Sequence, residues 1–134
     1  MSTVYLQEKI GNHLLRNIPY PAPSGLYIAL FTVMPDIHGN NGTEVAQGGY
    51  SRTLIVSSLT SWSEPVAGNG LFKNAVAVAF GVPTENWGTI VGSGAYNTQA
   101  GGNLVLKGLL DTPQAVNVGF VPVWTIENLR LQMI

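Results

Sequence analysis

The residues of this chain that could do chemistry are few and scattered. The densest group is Asp36-Ile37-His38-Gly39-Asn40-Asn41-Gly42, which sets a carboxylate, an imidazole and two amides close together. A calcium loop of the EF-hand kind needs oxygen ligands at alternate positions, glycine at the sixth and glutamate at the twelfth. Here the third position is His38 and the sixth is Asn41, so the segment reads as a surface loop. His13 stands beside Leu14 on a predicted helix with no partner motif, the setting of a surface or interface histidine. Ser57, Ser58, Ser61 and Ser63 surround Trp62 without the G-x-S-x-G turn that exposes a hydrolase nucleophile. Glu64, Glu85 and Glu127 supply carboxylates for a glycosidase pair, but nothing in their spacing brings two together. Gly92-Ser93-Gly94 lacks the third glycine and the following helix of a dinucleotide site. No catalytic, cofactor-binding or metal-ligating residue is expected, and the chain reads as a non-enzyme. A reading of a different class is a carbohydrate-binding module built on Trp62, Trp87, Trp124 and the five tyrosines. That reading needs at least one tryptophan on an exposed concave face, whereas a structural module buries them.

Composition points away from soluble chemistry and toward assembly. Charged residues make up only 10% of the 134, against 46% hydrophobic. A typical soluble domain is about 25% charged, so this surface has little to keep it wet and monomeric. Buried interfaces, and hence an oligomer, are expected. Formal net charge is −1, with six Lys and Arg placed one at a time. A nucleic-acid partner would call for a basic patch. There is no cysteine for a disulfide or a thiolate metal site. No segment reaches the ~18–20 apolar residues of a membrane span, and no secretory leader is evident.

The elements that must position these residues are one helix and many strands. Leu6, Ile10, Leu14 and Ile18 recur every four residues, which predicts a helix over residues 2–18 capped by Ser2 or Thr3. Pro19, Pro21 and Pro23 then force an extended connector over 19–25. Leu26–Thr32 is apolar enough to be a strand buried on both faces. Further strands are expected at Tyr50–Ser57, Leu71–Phe80, Thr89–Asn97, Leu104–Leu110, Val123–Ile126 and Leu129–Ile134. In Leu71–Phe80, Val76, Val78 and Phe80 should face the core, and the alternating alanines should face another layer, such as the helix. Turn signals every 8–14 residues indicate a mainly β, antiparallel, jelly-roll-like sandwich with one N-terminal helix. The whole of 1–134 is one domain, with the sandwich over 26–134.

Several of these segments line up with a known family. Tyr5-Leu6-Gln7-Glu8-Lys9-Ile10 with His13-Leu14-Leu15-Arg16-Asn17 is similar to the opening helix of small bacteriophage virion proteins of the head-decoration or tail-fibre type. The likeness continues through Leu26–Thr32, Gly42-Thr43-Glu44-Val45, Gly48-Gly49-Tyr50-Ser51-Arg52, Asn74–Phe80, Trp87-Gly88-Thr89-Ile90, Gly101–Val105 and Thr112–Val116. The chain departs from that pattern at Gly119-Phe120, where Gly-Asp is expected, and at Gly94-Ala95-Tyr96. The resemblance implies a virion structural protein assembled in the host cytoplasm. As a compact module without a fibrous repeat, the chain is expected to be a capsid decoration or cement protein. The alternative is a tail-fibre or baseplate component. Expected partners are further copies of itself, as a trimer, and the major capsid protein or tail proteins. Nucleic acid and membrane are not expected partners. The residues expected at interfaces are Leu6, Ile10, Leu14, Ile18, Tyr50 and Trp62.

Overall fold

The structure is a computed structural model and describes residues 1–65, 68–125 and 127–133. Among the described residues the chain is mainly β with one helix, and its paired strands are antiparallel. The helix α1 spans Val4–Leu15. Thr3 caps it: its Oγ1 accepts the Leu6 N–H at 3.4 Å and lies 2.6 Å from the carbonyl oxygen of Leu104, to which it donates. The helix ends three residues earlier than the apolar spacing predicts. Asn17 turns into the left-handed region with φ 55°, and the Asn12 carbonyl accepts from the N–H groups of both Arg16 and Ile18. Ile18 therefore lies beyond the helix.

Strand β1 (Gly25–Val33) is the centre of the fold. On one side it pairs with β6 (Gly88–Tyr96), and β6 pairs with β7 (Leu104–Val116). On the other side two short strands share its edge: β3 (Thr53–Val56) along Gly25–Ile28 and β2 (Thr43–Glu44) along Phe31–Val33. The double burial expected of β1 is present. Ile28 and Leu30 enter the principal core, while Ala29 and Phe31 enter a smaller one with Leu104. Gly92 and Gly94 of β6 make the second core possible. A Cβ on Gly94 would meet Phe31 and Leu104, and one on Gly92 would meet Met34.

Two ribbons complete the principal core. They are β4 (Leu71–Lys73) with β9 (Arg130–Gln132), and β5 (Val78–Ala79) with β8 (Val123–Trp124). Val78, Trp124, Leu129 and Leu131 pack there with Ile28, Leu30, Ile55 and Ile90. The layers are thus unequal, a five-stranded sheet against two ribbons.

The single strand expected over Leu71–Phe80 is split, and Asn74 is the reason. It is fully buried; its amide donates to the carbonyls of Val76 and Thr125 at 2.8 and 3.0 Å, and its Oδ1 accepts the Leu129 N–H at 2.9 Å. Those bonds replace ladder pairing, so Val76 turns outward and the alanine face is not the helix seat. The helix instead docks at the β7 edge, where Thr3 N–H donates to Val105 and Ser2 pairs with Leu106. Strand β7 runs on past Leu110 because residues 110–113 bulge out between its two pairings with β6, accommodating Pro113. Of the expected closing strands, Ile126 and Ile134 lie outside the described residues, and Met133 is exposed.

Candidate assembly surface and the network behind it

The segment from Gly42 to Arg52 holds the buried charged residue Arg52 and its carboxylate partner Glu44. Glu44 sits on β2, and Tyr50 and Arg52 lie in the approach to β3. Arg52 meets Glu44 through two bonds, Nη2 to Oε1 at 2.7 Å and Nε to Oε2 at 2.9 Å. Its remaining Nη1 donates to the carbonyls of Thr98 at 3.0 Å and Gly101 at 2.7 Å. Gln99 returns a bond from its amide to the Arg52 carbonyl at 2.8 Å. One side chain therefore fastens β2 and the turn between β6 and β7 to the start of β3. A planar fork with donors on both edges does this where a lysine would not.

Tyr50 fills the gap that β2 and β3 leave along β1. Its hydroxyl accepts the Leu30 N–H at 3.1 Å and donates to Glu44 Oε2 at 2.6 Å. Its ring stacks on Phe80 and meets the edge of Trp87. Burial and the hydrogen bond to the Glu44 carboxylate hold the Tyr50 phenol far above the ordinary phenol range. Tyr96 is raised by burial and by the charge of Glu44, with Arg52 opposing. For Arg52 burial works against the charged form, and the Glu44 carboxylate outweighs it, so the guanidinium stays charged. The double glycine before Tyr50 is a steric requirement. Gly49 has φ +88°, and a Cβ there would collide with the Val82 carbonyl, while the Gly48 carbonyl accepts the Trp87 indole N–H at 3.0 Å.

Of the six residues expected at an interface, Leu6 and Tyr50 are used inside the chain, a correction to that expectation. Leu6 is buried at 6% exposure as the first turn of α1 meets β7, and Tyr50 belongs to the network above. Trp62 is half-buried against the principal core and bridges to Asn74. Ile10, Leu14 and Ile18 are exposed, with Leu14 at 72%, and the neighbouring Leu15 is at 87%. Among the described residues α1 packs on no strand but β7, although a twelve-residue helix is marginal in water without packing.

The remaining candidates stay apart. Both oxygens of Asp36 are taken by its own loop: Oδ1 accepts the N–H groups of His38 and Asn40 at 2.8 and 3.0 Å, and Oδ2 accepts the Asn41 amide at 3.1 Å. The Asn40 N–H first, then those of His38 and Asn41, hold its carboxyl below the usual carboxylate range. Trp87 and Trp124 are core residues, so neither offers the exposed platform a tryptophan-based lectin requires. Glu64, Glu85 and Glu127 are each exposed, and no cluster of three His, Asp or Glu is present among the described residues. Sequence reasoning had not singled out Asn74 or Arg52, because each carries one signal only, a polar residue inside an apolar or turn-rich stretch.

A second exposed apolar group lies at the far end of the molecule. The segments Gly81–Trp87 and Asn117–Val123 run side by side, joined by Gly119 N–H to the Pro83 carbonyl and Phe80 N–H to the Pro122 carbonyl. Val82, Val118, Phe120 and Val121 are all exposed there. A family model described as Podophage GP4 fiber I protein gp80 matches residues 1–132 of the chain. No curated protein matches it in sequence.

Proposed function

Because the chain belongs to the Podophage GP4 fiber I protein gp80 family, a family of phage virion structural proteins, we propose that it is a non-catalytic subunit of a phage tail fibre. The family description supports the tail-fibre reading over the capsid-decoration reading, which has no observation of its own. The observation that carries the assembly role is α1. It is fixed by one turn and turns Ile10, Leu14 and Leu15 to water. Each square ångström of such surface covered by a neighbour contributes about 25 cal/mol before the costs of association. The proposed neighbours are two further copies of the chain, in a trimer, and the adjoining tail proteins; nucleic acid and membrane have no part. Assembly would take place in the host cytoplasm.

Electron microscopy of intact virions labelled with antibody against this chain tests the placement. Label on fibres is the expected result, and label spread over the capsid shell would overturn it. Light scattering of the purified protein tests the trimer, and a strictly monomeric mass would remove it.

A further inference from the structure

The Asp36–Gly42 loop, the first turn of α1 and the turn between β6 and β7 enclose a cleft of about 310 Å³. This is at the small end of ordinary ligand sites. Its lining residues include Tyr5, His38, Asn40 and Asn103, with the buried Arg52 and the half-buried Tyr96. The backbones that carry these groups are pinned. Asn40 N–H donates to Asp36 Oδ1 and the Asn40 carbonyl accepts the Asp36 N–H at 2.8 Å. Asn103 N–H donates to Asn97 Oδ1 at 2.8 Å, and Arg52 holds the Gly101 carbonyl. The side chains themselves are unspent. Among the described residues the His38 imidazole and the amides of Asn40 and Asn103 make no bond within the chain, and Tyr5 only accepts a long one from Asn97 at 3.5 Å.

We infer that this cleft binds a neutral saccharide. Each free amide presents one donor group and one acceptor, the complement of hydroxyls that do both. The imidazole and the phenol add two more groups of the same dual kind. Charge argues against an anion. Among the described residues the one guanidinium or ammonium lining the cleft, that of Arg52, is already committed to Glu44 and two carbonyls, so a phosphate or carboxylate would find no free cation to pair with. It argues against a cation as well, because the carboxylates beside it are spent, Asp36 on its own loop and Glu44 on Arg52 and Tyr50. The site owes nothing to tryptophan and stands on this cleft alone, independent of where the protein sits in the virion.

The test is NMR on the full chain with glucose, galactose, mannose and N-acetylglucosamine at millimolar concentration, with inorganic phosphate in parallel. Saturation transfer to at least one sugar is expected, together with shifts of the amides of Asn40, Gly101, Gly102 and Asn103. Asn40→Ala and Asn103→Ala should each weaken that binding roughly two- to tenfold, the worth of one hydrogen bond, with melting unchanged because both side chains are exposed. Absence of transfer to all four sugars would overturn the inference. So would binding that survives the double variant, or phosphate shifting the same amides more strongly than any sugar.

Discussion

The guanidinium of Arg52 lies 3.5 Å from the centre of the Tyr96 ring, in a residue only 8% exposed. Tyr96 is the last residue of β6, and Arg52 stands just before β3 on the opposite side of β1. The stack therefore spans the central strand, and the pair with Glu44 extends it to β2. Three elements that meet only through β1 are thereby joined a second time.

Breaking this pair from one side should be costly. Glu44→Gln is expected to lower stability by about 2–4 kcal/mol, since it leaves a guanidinium mostly out of water without its counter-charge. Arg52→Met should lose at least as much, because the Thr98 and Gly101 carbonyls also lose their donor. The double variant Glu44→Gln/Arg52→Met should lose less than the two single losses added together. Urea unfolding of the four proteins measures this, and strictly additive losses would refute the coupling.

The double glycine gives a sharper contrast. Gly119 has φ +80° with open space around its Cβ position, and Gly119→Ala should cost only the strain of the left-handed backbone, about 1 kcal/mol. Gly49 has a similar φ but faces the Val82 carbonyl, and Gly49→Ala should cost several times as much. Equal melting temperatures for the two variants would contradict the steric argument.

The Tyr50 phenol predicts a loss of stability in alkali. Its folded value is raised above the ordinary 10.0, so its contribution is fully present below pH 10 and is lost as pH climbs toward the folded value. From pH 10 upward the parent protein should lose stability more steeply than Tyr50→Phe, although the variant starts lower for want of the Leu30 and Glu44 bonds. Melting temperatures from pH 8 to pH 11 show the slopes, and parallel slopes would mean the phenol does not report on folding.

Leu14→Ser and Leu15→Ser separate assembly from folding. Both side chains are exposed in the single chain, so its stability should change by less than about 0.5 kcal/mol. The mass of the assembled form should fall, by light scattering. A deletion of residues 1–18 is a poorer test, because it also strips Thr3 from the edge of β7. Unaltered assembly in both variants would show that this stripe is idle.

The strongest periodicities were legible in the sequence. The spacing from Leu6 to Leu14 announced the helix, and the unbroken apolar run of β1 announced a strand covered on both faces. What stayed hidden were places where a side chain overrides the backbone pattern. Asn74 breaks a convincing alternation because its amide satisfies the nearby Val76 carbonyl and three backbone groups, of Trp124, Thr125 and Leu129, that lie far along the chain. Arg52 looked like one polar residue in a strand, and its purpose depends on carbonyls about fifty positions away. The helix stripe was visible, yet spacing alone could not say that Leu6 would be taken inward and the others left outside.

The docking of α1 has a consequence in time. Thr3 finds its seat on Leu104, a hundred and one positions along the chain. During synthesis the helical segment has no site to rest on until β7 has left the ribosome, and contacts so distant in sequence are slow to close. Its apolar stripe is therefore unanchored until β7 emerges and becomes fixed in direction only when the sheet is complete. A neighbour that reads the orientation of α1 would in effect be checking that the subunit has finished folding.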